Sequence, residues 1–174
     1  MILFLFKRKK KFKITKEEYG REYLSQLLLN VGSDSANLFE QLGREIDLND
    51  YLCYIQYLLF IVQKNLEGKY SAKDTTIIVN ATIHGFINKI PGVKSESKEE
   101  FERDFKNAYI DLVEFMGENS DISNKETLHK LTNCFLEVCD FQNDAINHYN
   151  VFLRFSAFII SYTSAIFTDD LIVY

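Results

Sequence analysis

The sequence is poor in the residues that interrupt regular structure. Its 174 residues include one proline, seven glycines and no tryptophan. So little proline and glycine excludes collagen-like chains, proline-rich linkers and long disordered tracts. It also argues against an all-β fold, which needs many turns. Apolar residues make up 47% of the chain and charged residues 26%, as in an ordinary globular protein, and this length fits one domain with a core of its own.

Cysteine is also scarce, and no apolar run marks a membrane span. Cys53, Cys134 and Cys139 form no Cys-x-x-Cys pair and stand in apolar surroundings, so we expect small buried thiols in a reducing compartment. The first six residues are apolar but precede a basic cluster, the reverse of a secretory signal. The longest other apolar stretch, 151–167, contains an arginine and four serine or threonine residues. We predict a helix buried in protein there, and a cytoplasmic protein.

Charge is distributed unevenly along the chain. The first 13 residues contain no acidic residue and six of the 20 basic residues, namely Lys7, Arg8, Lys9, Lys10, Lys11 and Lys13. The remaining chain carries 14 basic against 25 acidic residues, and an acidic body argues against nucleic acid as a partner. The six basic residues are candidate contacts to an anionic membrane surface, which the apolar residues before them could enter. The alternative is a poorly structured terminus, or an apolar strip folded back on the domain.

Capping signals and apolar spacing predict an all-α fold. Capping boxes at Thr15, Ser71 and Ser97 begin three helices, Asn49 begins a fourth, and either Ser123 or Asn124 begins a fifth. Residues 51–62 are apolar almost all the way round, which places their helix at the centre of a bundle. The prediction is a compact bundle of about six long helices, with an N-terminal arm over 1–13, a single helical domain over 14–174 and a short docked or extended piece over 171–174. The predicted long helices cover 15–31, 49–66, 71–90, 97–117, 124–140 and 143–167, and a short helix covers 35–45.

The two halves of the predicted domain resemble each other. Capped amphipathic helices look alike in any protein, but three collinear matches favour an internal duplication. The duplication predicts two pseudo-symmetric three-helix halves, 14–90 and 96–167, that share one core. Gly20 is aligned with Glu102, so at this position only the first half can bring two helices close together. Gly85 lies inside a helix pattern, where it allows close packing or a bend. The matching segments are 15–23 with 97–105 at an offset of 82, and 53–60 with 134–141 and 78–82 with 159–163 at an offset of 81.

Histidine offers little support for a metal site. Glu126 and His129 are three residues apart, which places both on one helix face. Di-iron helical bundles use two such steps, and neither His84 nor His148 has a glutamate three positions before it. We therefore interpret the Glu126–His129 step as a surface pair.

Two acidic steps, Glu96 with Glu99 and Glu118 with Asp121, are the remaining metal candidate. They are reminiscent of the acidic helix pairs that hold Mg²⁺ in all-α nucleotide pyrophosphatases. The second step lies in a predicted loop, and a loop alone does not supply the octahedral geometry that Mg²⁺ demands. We therefore expect these residues to be solvated, and we predict no cofactor.

No nucleophile or phosphate-binding motif of the GxSxG, P-loop or GxGxxG kind occurs. Our first hypothesis is a non-enzymatic interaction module, an adaptor, regulator or inhibitor that binds another protein or itself, because 14% of residues are aromatic and aromatic residues anchor interfaces. Tyr51, Tyr54 and Tyr57 are candidate interface residues with partly exposed phenols, or else boundary residues of the core. The alternatives are peripheral membrane attachment through the basic arm and a metal-dependent helical-bundle enzyme.

Overall fold

The computed structural model describes residues 12–91, 97–117, 120–166 and 171–174. Helices α1 and α2 and the π-helical segment between them are continuous, so the described residues form six long helices and the short α3. This confirms the predicted all-α bundle. The elements in chain order are β1 (Phe12–Ile14), α1 (Lys16–Glu18), the π segment (Tyr19–Leu24), α2 (Ser25–Gly32), α3 (Ser35–Gln41), α4 (Leu48–Glu67), α5 (Ala72–Lys89), α6 (Lys98–Met116), α7 (Lys125–Val138), α8 (Ala145–Ile166) and β2 (Leu171–Val173).

Helix α4 lies at the centre of the bundle, as its apolar sequence predicts. The five consecutive residues 58–62 are each at most 1% exposed. Consecutive residues point to all sides of a helix, so this burial requires neighbours all round. Helices α2, α5, α6, α7 and α8 supply them. Both halves of the chain therefore share one core around α4.

Two of the three predicted capping boxes differ from expectation. Thr15 forms the full box: its hydroxyl accepts from the Glu18 amide at 3.1 Å, and the Glu18 carboxylate accepts from the Thr15 amide at 3.0 Å. The Ser71 hydroxyl accepts a hydrogen bond from the Asp74 amide at 3.2 Å, which is one of the two bonds of a capping box. Ser97 makes no capping bond, so that prediction is wrong. Its backbone is already helical, with φ −98° and ψ −5°, whereas a capping residue is extended.

Helix α4 begins before the predicted Asn49. Asp47 is the capping residue, because its backbone is extended and its carboxylate accepts from the Asp50 amide at 2.8 Å. The Asp50 carboxylate accepts from the Asp47 amide and also binds the Arg44 guanidinium. Asn49 is already inside the helix, and the prediction that it caps α4 is wrong.

A short parallel sheet joins the two ends of the described chain. Phe12 pairs with Leu171 and Ile14 pairs with Val173. Strand β2 is the short extended piece predicted for 171–174, whereas β1 is too short to show an alternating pattern in the sequence. The strand β1 crosses the predicted boundary between arm and domain at residues 13 and 14.

A close helix crossing between the π segment and α5 depends on two glycines. A Cβ atom on Gly20 would overlap the Ile78 carbonyl oxygen and lie 2.9 Å from the Ala81 Cβ. A Cβ atom on Gly85 would overlap the Arg21 carbonyl oxygen and lie 2.7 Å from the Arg21 Cα. Each glycine thus admits the backbone of the other helix, as their positions in the sequence predict.

At this crossing, the Arg21 carbonyl of the π segment accepts hydrogen bonds from side chains. The Arg21 carbonyl accepts from the Ser25 hydroxyl and, at 3.1 Å, from the Lys89 ammonium. Lys89 also donates to the Glu22 carboxylate at 3.1 Å and to the Ser25 hydroxyl at 3.0 Å. A π turn widens the backbone by one residue and displaces its hydrogen bonds, so Lys89 of α5 both satisfies that carbonyl and ties the two helices together.

The internal duplication stays a prediction. Each half contains three long helices, but the first half also contains α3. Glu102, the residue aligned with Gly20, accepts hydrogen bonds from His84 of α5 at 2.9 Å and Lys106 at 2.6 Å. Burial alone would raise the pKa of Glu102, but these two bonds outweigh it and lower that pKa. The aligned positions therefore both face α5, one through a backbone contact and the other through a polar bridge.

Replacing Gly85 by alanine should destabilise the fold. The added methyl group meets the Arg21 backbone, which cannot move aside as a flexible side chain can. The overlap should cost about 3 kcal/mol, the upper end of the overpacking range, because backbone has to shift. After the gain of about 1 kcal/mol in helix propensity, we expect a net loss of about 2 kcal/mol in the free energy of unfolding. Urea denaturation followed by circular dichroism measures it.

Gly68→Ala is the matched control, because the nearest atom to a Cβ there is 3.5 Å away. Its backbone is helical, with φ −72°. We expect this variant to be as stable as the wild type or slightly more stable. Equal urea midpoints for Gly85→Ala and Gly68→Ala would show that the crossing is not close.

Candidate protein-interaction surface

Helix α8 has an inner face that fixes its position in the bundle. Val151, Phe155 and Phe158 follow one another at steps of four and three and are at most 3% exposed. Phe155 contacts the rings of Tyr57 of α4 and Phe135 of α7, at centroid distances of 6.0 and 5.7 Å. These contacts set the rotation of α8 about its own axis, and so decide which residues face outward.

The outward face of α8 is apolar as well. Four large side chains on it are half or more exposed: Ile146 at 71%, Tyr149 at 62%, Leu153 at 50% and Ile160 at 79%. The exposed Ala157 completes the set, which we call the α8 stripe. At about 100° per residue its members lie within an arc of about 80° opposite the buried face, and they extend over about 21 Å of helix.

The α8 stripe has almost no charge around it. Between residues 145 and 161 the helix contains no lysine and no acidic residue, and Arg154 is its one permanently charged side chain. Other exposed apolar residues stand among charges: Ile110, which is 51% exposed, is followed by Asp111 and Glu114. Single exposed apolar side chains are ordinary on a protein surface, whereas a contiguous apolar patch marks an interaction site.

The tyrosines predicted to line an interface are mostly buried. Tyr54 and Tyr57 are each 2% exposed, so the expectation of partly exposed phenols is wrong for both. The reason is the enclosure of α4 on all sides; the Tyr57 hydroxyl donates to the Cys134 thiol at 3.0 Å, and burial raises the pKa of Tyr57. Tyr51 is half-buried against Phe86, and its role at an interface stays a prediction.

Most of the predicted basic surface lies outside the described residues. Lys7, Arg8, Lys9, Lys10 and Lys11 belong to that part of the chain. Lys13 is exposed in β1, where it pairs in register with Ile172. The membrane contact of these residues stays a prediction. Across the described helices, none has both the length and the apolar character needed to cross a membrane.

The three cysteines converge on one side of α4. The Cys139 thiol donates to Cys53 with the two sulfur atoms 3.1 Å apart. Cys134 and Cys139 are buried and Cys53 is half-buried. The bond to Cys53, together with burial, raises the pKa of Cys139, and burial raises the pKa of Cys134. Thiols with raised pKa values are poor nucleophiles, so the prediction of small buried thiols is confirmed for these two.

Two histidines meet between α7 and α8. The Nδ1 atom of His129 lies 3.3 Å from Nε2 of His148, and the two rings stack with centroids 5.0 Å apart. Phe152 stacks on His129 at 4.5 Å. His129 thus pairs with His148 and not with Glu126, which is exposed, so the predicted Glu126–His129 pair is wrong.

The acidic metal candidate does not assemble in the part of the chain that is described. Glu96 and Glu118 lie outside the described residues, Glu99 is exposed, and the Asp121 carboxylate accepts from the hydroxyl and amide of Ser123 in its own turn. No three His, Cys, Asp or Glu side chains among the described residues converge to hold a metal ion. The described residues therefore offer no metal centre as a functional site.

Comparison with family models, curated proteins and solved structures gave no match to this chain. Geometry alone therefore supports the α8 stripe as a functional site. The sequence carried one signal for it, since residues 146, 149, 153, 157 and 160 follow at steps of three, four, four and three. The inner face of the same helix has an equally apolar pattern, so the sequence alone does not show which of the two faces is exposed.

The stability of the α7–α8 contact should depend on pH. Burial and the neighbouring His129 lower the pKa of His148. The unfolded chain therefore takes up a proton more readily than the folded chain, so the free energy of unfolding decreases as pH falls through the ordinary histidine pKa of about 6.5. We expect the urea midpoint to decrease between about pH 7.5 and 5.5, above the range where carboxylates titrate.

The variant His148→Gln should show a smaller decrease over the same interval. His84→Gln, at an exposed histidine of α5, is the control and should retain the decrease. An identical pH profile for His148→Gln and the wild type would mean that the histidine pair does not couple folding to pH.

Proposed function

We propose that the protein is a non-enzymatic helical interaction module, and that the α8 stripe is the surface through which it binds another helix. One observation carries the proposal. Four large apolar side chains, Ile146, Tyr149, Leu153 and Ile160, are half or more exposed on one face of a helix whose other face is held in the core. Soluble proteins rarely leave so continuous an apolar face in water.

The spacing of the stripe supports a helical partner. Steps of three and four residues present a straight row of side chains, which the grooves of a second helix accept. Tyr149 offers the kind of large amphipathic side chain that anchors protein interfaces. Because the stripe itself carries no charge, it favours a partner with an apolar face over one with a charged face.

Site-specific photo-crosslinking in the cells that naturally make the protein tests this function. A benzophenone amino acid replaces Leu153 in the full chain, and in a second variant it replaces Ile110 of α6. Ile110 is the matched control, because it is 51% exposed against 50% for Leu153 and lies outside the stripe.

We expect a covalent adduct from position 153, to a second copy or to a different protein, with the attachment mapped by mass spectrometry to an apolar helix face. Adding Ile146→Glu in the same chain should abolish the adduct, since a carboxylate on the stripe would have to be desolvated in the complex. No adduct from position 153, or equal adducts from both positions, contradicts the proposed function.

A further inference from the structure

The α8 stripe is symmetric about Leu153. The residues four and seven positions before it are Tyr149 and Ile146, and the residues four and seven positions after it are Ala157 and Ile160. In an antiparallel pair of helices related by a two-fold axis beside one residue, the residue n positions before it faces the residue n positions after it in the other copy. A stripe with this symmetry therefore faces apolar residues at every position when it meets itself.

The sizes of the side chains fit this antiparallel arrangement. Ile146 meets Ile160 of the second copy, and the large Tyr149 meets the small Ala157 of the second copy, so large and small groups alternate across the contact. A parallel arrangement would instead place tyrosine against tyrosine and alanine against alanine, which crowds one level and leaves a gap at the other. Leu153 meets its own copy on the axis.

The charges permit the same arrangement. No charged residue belongs to the stripe, so no like charges face each other along it. Arg154 is half-buried and lies about 100° around the helix from the centre of the stripe, so its guanidinium stays at the edge of the contact.

We infer that the occupant of the α8 stripe is a second copy of this chain, docked antiparallel about a two-fold axis beside Leu153. The inference rests on the proposed function and names its partner. Two helices in contact over about 21 Å bury less than the roughly 800 Å² per partner of a standard stable interface. The dimer is therefore reversible, and its population depends on protein concentration.

Sedimentation equilibrium of the full chain tests the dimer, at concentrations from about 1 to about 200 micromolar. We expect a monomer–dimer equilibrium in this range for the wild type. Leu153→Glu places two carboxylates face to face on the axis and should weaken the dimer at least about 100-fold. Ile110→Glu, at an equally exposed apolar residue of α6, should leave the dimer unchanged.

Mixed charge variants test the axis and the direction of the helices. Neither Leu153→Glu nor Leu153→Lys should dimerise alone, and their mixture should recover a dimer. A mixture of Ile146→Glu with Ile160→Lys should also recover one, because these positions face each other only in the antiparallel arrangement. Recovery from the first mixture without the second contradicts the antiparallel direction.

Disulfide trapping gives a readout that does not depend on charge. Leu153→Cys should form a covalent dimer readily on mild oxidation, because the two sulfur atoms meet on the axis. Ile146→Cys should not, since its two copies are about 21 Å apart along the helix pair. Equal trapping at both positions contradicts the two-fold axis at Leu153.

The failures of the two proposals can be told apart. A wild-type protein that stays monomeric throughout the concentration range, but whose position 153 crosslinks to a different protein, overturns the second copy as the occupant and leaves the proposed function in place. A monomer that gives no crosslink overturns both. A dimer that Leu153→Glu leaves intact forms elsewhere and overturns the inference.

Discussion

The burial of α4 on every side is the constraint on which the arrangement of the other helices depends. Its residues 58–62 are apolar without interruption and almost completely buried, and a helix with no polar side must be surrounded. Helices from both halves of the chain surround it, so neither half can keep its own core apart from the other. Apolar burial stabilises folding by roughly 25 cal/mol per Å², and here that energy is concentrated on one central helix.

The glycine crossing shows how the first half meets this constraint locally. Gly20 and Gly85 let the backbones of the π segment and α5 touch, and the Lys89 ammonium and Ser25 hydroxyl satisfy the Arg21 carbonyl there. Glycine and π turns each cost helix stability. The close contact between two backbones and the tie through Lys89 offset that cost, because they hold α5 beside the π segment.

The sequence predicts the helices and their apolar faces, which depend on local and periodic patterns. It does not predict features that depend on contacts with other parts of the fold. Helix number and the central place of α4 follow from apolar spacing, whereas Thr15 and Ser97 begin nearly the same four-residue motif and only Thr15 forms the box. The difference lies in the backbone at each position, which is extended at Thr15 and helical at Ser97. Tyr54 and Tyr57 likewise have a spacing that the sequence shows, but their burial depends on α7 and α8 closing over them. The sequence also shows the apolar positions of α8, but the contacts of Phe155 determine which face of the helix is exposed.

Helices α4 and α8 pose the same physical problem with different outcomes. Both are apolar on opposite faces, a composition that suits a helix with neighbours on two sides. Helix α4 finds all its neighbours within the chain. Helix α8 packs Val151, Phe155 and Phe158 inward and leaves the α8 stripe in water. Folding of the chain therefore does not bury the apolar area of the stripe. Covering such apolar area favours association with a surface of matching shape, and the symmetry of the stripe about Leu153 is the reason why we propose a second copy as that surface.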